Sequence, residues 1–115
     1  MNVEQEIREH SLSIIGKELK LIGEFHMKSE VHVYGELEGT LNFTGPGKLV
    51  VEQTGSIKGS IFCDNIEIYG VVEGKIEAQG TLIVRSSGKL NGQFKANNLS
   101  VYPGALLNIE GQTKA

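Results

Sequence analysis

The sequence predicts an all-β chain wound as a right-handed parallel β-helix, a three-faced solenoid of about six turns. Three observations point there. Apolar and polar residues alternate at period two over short runs, the mark of half-buried strands. Glycines four residues apart, as at Gly70 and Gly74, break those runs at tight bends. Most decisively, one stretch recurs. IEIYGVVEGKIEAQGT, from Ile66, is echoed by stretches that start at Leu12, Val31, Leu49, Leu82 and Leu99; the six starts are spaced 19, 18, 17, 16 and 17 residues apart. A repeat near this length with no helical period signals a solenoid.

Composition fits this class. The 115 residues suffice for one domain, and 15 glycines against 2 prolines suit many tight corners rather than a disordered linker. A net charge of -3 offers no basic surface, so no nucleic-acid partner is expected. Cys63 stands alone and reads as a small buried hydrophobe. No apolar run approaches the roughly 18 residues that span a bilayer, and no signal peptide is visible, which suggests a cytosolic protein.

Taken in order, residues 1–11 read as a flexible N-terminal tail, acidic and without a broad apolar face. Residues 12–115 form the β-helix. In the central unit Ile66, Ile68, Val72, Ile76 and Ala78 point inward, while Glu67, Tyr69, Glu73, Lys75 and Glu77 point outward. The matching inward sets are Val31, Val33, Leu37, Leu41 and Phe43; Leu49, Val51, Ile57, Ile61 and Cys63; and Leu82, Val84, Leu90, Phe94 and Ala96. One turn cannot bury its own apolar edge. Stacked turns place each inward side chain on its counterpart, and each such aliphatic contributes about 1.5–3 kcal/mol. Parallel crossovers are overwhelmingly right-handed. Variable turn lengths, with the corner glycines Gly39, Gly59, Gly74 and Gly92 drifting, argue against a left-handed hexapeptide coil.

The outward positions form ladders. Glu38, Lys58 and Glu73 alternate in sign, and Glu77 faces Lys95, which modestly favours stacking. Tyr34, Glu52, Tyr69, Arg85 and Tyr102 form another, with tyrosine on every second turn, either a binding stripe or aromatic residues that suit a strand surface. Phe62 shares an outward ladder with His26, Asn42, Glu77 and Lys95 and is a candidate lateral contact.

Chemistry finds little support. His10, His26 and His32 show no metal-ligand spacing, and the carboxylates lie on charge-balanced ladders with no cleft to shift their pKa values. No phosphate-cradling loop is visible. Neither catalytic residues, nor a metal, nor a cofactor is expected. The four-residue glycine spacing would suit membrane helices, but it lies in strand patterns, where corners explain it.

The segments IIGKELKLIGEF (Ile14–Phe25), VHVYGELEGTL (Val31–Leu41), IEIYGVVEGKI (Ile66–Ile76) and LSVYPGAL (Leu99–Leu106), in that order, resemble the bactofilin family over nearly the whole chain. The resemblance implies a bacterial cytoskeletal protein whose β-helices polymerise end to end into non-polar filaments without nucleotide. It implies a scaffold for cell-shape and cell-wall machinery, with the chain itself and cell-wall or membrane-associated proteins as partners. The expected location is cytoplasmic, at the inner face of the membrane through such partners. The tail carries no obvious membrane-targeting peptide, so direct membrane binding is not part of the expectation. Almost no chain follows the last turn, which leaves few places for a partner-binding extension.

Polymerisation is also expected on physical grounds, because a solenoid without polar caps ends in open strand edges over an apolar cross-section. The candidate interfaces are Leu12, Ile14, Leu19 and Leu21 at the N-terminal end, and Leu99, Val101, Leu106, Leu107 and Ile109 at the C-terminal end. In the last turn two registers stay open. Either Leu106 points inward with Leu107 and Ile109 outward, or the reverse. The competing functions are a monomeric solenoid adaptor and a β-helix enzyme such as an acyltransferase, which should show a strict hexad or clustered acids and histidines.

Overall fold

The computed structural model describes residues 12–113. Its strands are β1 (Leu12–Ile15), β2 (Lys20–Val33), β3 (Glu36–Val51), β4 (Ser56–Cys63), β5 (Asn65–Ile68), β6 (Val71–Val84), β7 (Lys89–Val101) and β8 (Leu106–Thr113). Every pairing between them is parallel, and each strand pairs with the one a turn away. The chain is therefore a parallel β-solenoid of about six turns.

Core positions stack as columns. Val31, Leu49, Ile66, Leu82 and Leu99 pair in sequence, and so do Leu37, Ile57, Val72, Leu90 and Leu107. In the inner turns every expected inward residue is buried except Phe43, which is half-buried against the same core. Phe25 and Met27 add to it from the first turn.

Three expectations are corrected and a fourth, left open, is decided. The first concerns the opening turn, where Ser13, not Leu12, pairs with Val31. Tyr34 N–H donates to the Ile15 carbonyl (2.8 Å), and Leu19 N–H closes a turn onto Gly16 (3.1 Å), which together set this register. A one-residue slip exchanges the faces, so Ile15 enters the core and Ile14 stands 63% exposed.

The second concerns the corner glycines, which do not drift. Gly23, Gly39, Gly59, Gly74 and Gly92 pair as one unbroken column, all at positive φ. A Cβ on Gly74 would lie 2.0 Å from the Gly59 carbonyl oxygen, so only glycine fits.

Turn length varies at two other places. One is the corner after each Phe43-type position: the bulge at Thr44–Pro46 puts extra residues in β3 between Phe43 and Gly47 opposite Met27 and Ser29, and β6 carries one more residue than β7 between Ala78 and Thr81. The other is the corner after each Val31-type strand segment. It is short at Tyr34-Gly35 and Tyr69-Gly70, and long at Gly16–Leu19, Glu52–Gly55, Arg85–Gly88 and Tyr102–Ala105. Long and short alternate until the last turn. Each short corner nests in the long one before it; a Cβ on Gly70 would lie 2.3 Å from the Gly55 oxygen and 2.4 Å from that of Glu52. From the following long corner, the Thr54 and Ser87 hydroxyls donate back to the Tyr34 and Tyr69 carbonyls (2.7 and 2.8 Å).

The third correction is Glu67, which is only 8% exposed although its position was read as outward. It lies in a column between Val50 and Ile83, under the side chain of Arg85. The fourth settles the open choice in the last turn. Leu107 pairs with Leu90 and points inward, while Leu106 continues the outward column of Lys20, Glu36, Ser56, Val71 and Lys89 and is 60% exposed.

Candidate polymer interfaces and surface clasps

The C-terminal end is an unfinished core. Leu99, Val101 and Leu107 sit on Leu82, Val84 and Leu90, which are fully covered. With no further turn above them among the described residues, Val101 is 42% and Leu107 36% exposed, and Leu99 and Ile109 are half-buried. Ile109 also occupies the corner column, paired with Gly92. It is not among the positive-φ residues, so the last turn abandons the glycine corner used by the turns before it. Leu106 and Tyr102 extend the apolar surface onto the side of the rod.

At the N-terminal end, Ile14 and Leu19 are exposed and Leu21 is half-buried against the core. Ile22, 70% exposed, lies on the same first turn and was not singled out from the sequence, although it follows directly on Leu21. Leu12 lies in β1, and its side chain falls outside the description, as does the whole tail at 1–11.

Phe62 pairs with Asn42 and Glu77 as expected, but it is half-buried rather than exposed. With Gly45 and Pro46 of the bulge, and with Phe43, Cys63, Asp64, Glu77 and Gln79, it lines an open groove of about 370 Å³. Cys63 itself is buried. Burial pushes its thiol up to about 11, so it is inert at neutral pH.

Two charged clasps cross the ladder face. Arg85 donates from Nε to Glu67 Oε2 at 2.8 Å and from its terminal nitrogen to the same oxygen. Its guanidinium lies over Tyr102 at 4.5 Å and Tyr69 at 5.6 Å from the ring centres. Tyr69, Arg85 and Tyr102 of the tyrosine ladder thus form a stack within the chain that ties three turns together, with each cation–π contact contributing about 0.5–1 kcal/mol at an exposed site. The hydrogen bond to Glu67 chiefly holds the Arg85 charge.

His32 makes the second clasp. Its Nδ1 lies 2.7 Å from Glu52 Oε2, and its Nε2 lies 2.6 Å from Glu30 Oε2. Burial opposes the imidazolium, but hydrogen bonds and attraction to both carboxylates outweigh it and raise the pKa. The His32 hydrogen bond lowers that of Glu30. Spacing alone could not reveal either clasp. The pairs His32–Glu52 and Glu67–Arg85 join neighbouring turns diagonally, across two columns, rather than along one.

Among the described residues, no group of histidine, cysteine and carboxylate side chains is arranged to hold a metal ion. No helix there is long and apolar enough to cross a membrane.

A family model described as "Bactofilin", polymer-forming cytoskeletal, matches residues 13–114. Among solved structures, the chain is similar to one from a cryo-EM reconstruction of Thermus thermophilus bactofilin double helical filaments. The TM-score is 0.77 at 23% identity, over 87% of this chain and 99% of that one. No curated protein matches the chain.

Proposed function

The chain belongs to the bactofilin family of polymer-forming cytoskeletal proteins, and on that premise we propose that it assembles end to end into non-polar filaments, without nucleotide, that scaffold cell-shape or cell-wall machinery. The family is structural, and enzymatic readings fall away with it. The observation that carries the end-to-end reading is the unfinished C-terminal core, Leu99, Val101, Leu107 and Ile109, with Leu106 beside it. Two such ends meeting would complete each other's columns. Like-with-like contacts are isologous, and alternating them with contacts between N-terminal ends, through Leu12, Ile14, Leu19, Leu21 and Ile22, builds a filament without polarity. The corner column favours this over head-to-tail stacking. A following copy would have to seat its Gly23 turn on Ile109 instead of on a glycine.

The same reading takes the coil as right-handed and three-faced, in line with the preference of parallel crossovers. It places the filament in the cytoplasm, reaching the membrane's inner face through partners. The double helical filaments of the Thermus protein support lateral pairing here as well, for which the Phe62 groove is the candidate surface.

Leu107→Arg tests the junction. It would bring two unpaired like charges together in a desolvated contact. Sedimentation and negative-stain microscopy should then show a small species, either a monomer or a dimer joined by N-terminal ends. Circular dichroism should still report a β-rich fold. Long filaments of the variant would remove the C-terminal end from the junction. Uniform small particles of the unmodified protein would favour the monomeric adaptor.

A further inference from the structure

Two carboxylates flank His32, one on each ring nitrogen, and an ionised carboxylate only accepts hydrogen bonds. A neutral imidazole donates through one nitrogen and leaves a lone pair facing the other carboxylate. Both short contacts are satisfied at once only by the imidazolium, which has two N–H groups. We propose that His32 is a pH-operated clasp that ties the second turn to the third while charged and lets go when neutral.

Its surroundings restrict the charge balance to a few groups. Glu30 lies on β2, two residues before His32, and Glu52 follows β3. From β3, Val50 is the paired neighbour, and Lys48, paired with Glu30, attracts that carboxylate as well. From β1 the paired residue is Ile14, which is apolar and exposed. When His32 loses its proton, the two negative charges of Glu30 and Glu52 face an uncharged ring, with Lys48 paired beside Glu30.

The direction of the response follows from the raised pKa of His32. The clasp contributes in full below the unfolded value of about 6.5 and is lost as pH rises through the higher folded-state value. Glu30 bounds the window on the other side. Its lowered pKa means that its share is present above the ordinary carboxylate value and is lost as pH falls through the lower folded-state one. The Arg85–Glu67 clasp repeats the same diagonal two turns on with the signs exchanged, and an arginine does not titrate in this range. It is a control built into the same molecule.

Hydrogen exchange read by mass spectrometry, corrected for intrinsic rates, tests this in the full chain from about pH 6 to about pH 8.5. Peptides covering Leu12–Tyr34 and Lys48–Glu52 should lose protection several-fold across that range, and peptides around Arg85 should not. In His32→Gln the loss with pH should disappear, and in Glu52→Gln it should move to lower pH. Circular dichroism checks that both variants fold. The proposal fails if His32→Gln keeps the pH dependence of the unmodified protein, or if the peptides around Arg85 respond equally. Because Lys48–Glu52 lies outside both proposed junctions, its protection reads the clasp apart from filament formation.

Discussion

The fourth turn and the last turn carry the same columns and behave differently. Ile66, Ile68, Val72 and Ile76 are completely covered, because a turn lies on each side of them. Leu99, Val101 and Leu107 occupy equivalent positions and remain partly open. Burial in this fold is therefore a property of stacking and not of a turn's own sequence. Apolar residues in an inner turn are explained by folding of one chain, whereas those in the end turn are explained only when something covers them. The corner sharpens the contrast, since Gly74 cannot carry a Cβ and Ile109, one column mate of it, does.

This comparison can be broken from either side. The largest effect is expected at the inner corner. Gly74→Ala places a Cβ 2.0 Å from a backbone oxygen at a φ of +127°, and should cost more than about 4 kcal/mol or prevent folding. Ile109→Gly, the reverse change at the end turn, should leave the fold intact by circular dichroism. If Gly74→Ala is as harmless, the corner column is misassigned. Next comes Ile76→Ala, expected to cost about 2–5 kcal/mol in denaturant melts of an assembly-blocked background. Leu107→Arg should do the opposite, abolishing filaments while preserving the β-sheet signal. Lys75→Ala, the exposed neighbour of Ile76, should stay within about 0.5 kcal/mol; equal effects at 75 and 76 would mean a wrong register. The smallest change is Phe62→Ser, which should leave filaments intact and reduce their bundling by microscopy. Unchanged bundling would remove the groove as a lateral contact.

The inner turns were legible because two signals agree there. Period-two alternation defines which residues face inward, and the glycine pairs pin the register of each turn to the next. At the first turn the signals part. In Leu12–Ile15 apolar residues flank one serine, so alternation permits either face, and only the hydrogen bonds of the following corner decide. The last turn lacks its corner glycine, which left both registers open until pairing with β7 chose one. Glu67 was misread for a different reason. Its burial comes from Arg85, 18 residues away and two columns across, and a ladder read straight up the coil does not bring them together. The Glu52 partner of His32 is hidden in the sequence for the same reason.

The alternation of long and short corners makes the natural unit of this rod two turns rather than one. A short corner needs a long one to nest in, and the hydroxyls of Thr54 and Ser87 reach back only to short ones. The last turn is long where the rhythm calls for short, and where Thr54 and Ser87 stand it has Gly104, which has no hydroxyl to offer. Length in this architecture is thus quantised in pairs. Duplicating one inner turn would set like on like, whereas duplicating an adjacent long and short turn would lengthen the rod and keep every nest and every hydroxyl partner. A lineage of such coils should grow and shrink in even steps, with its odd turn confined to an end.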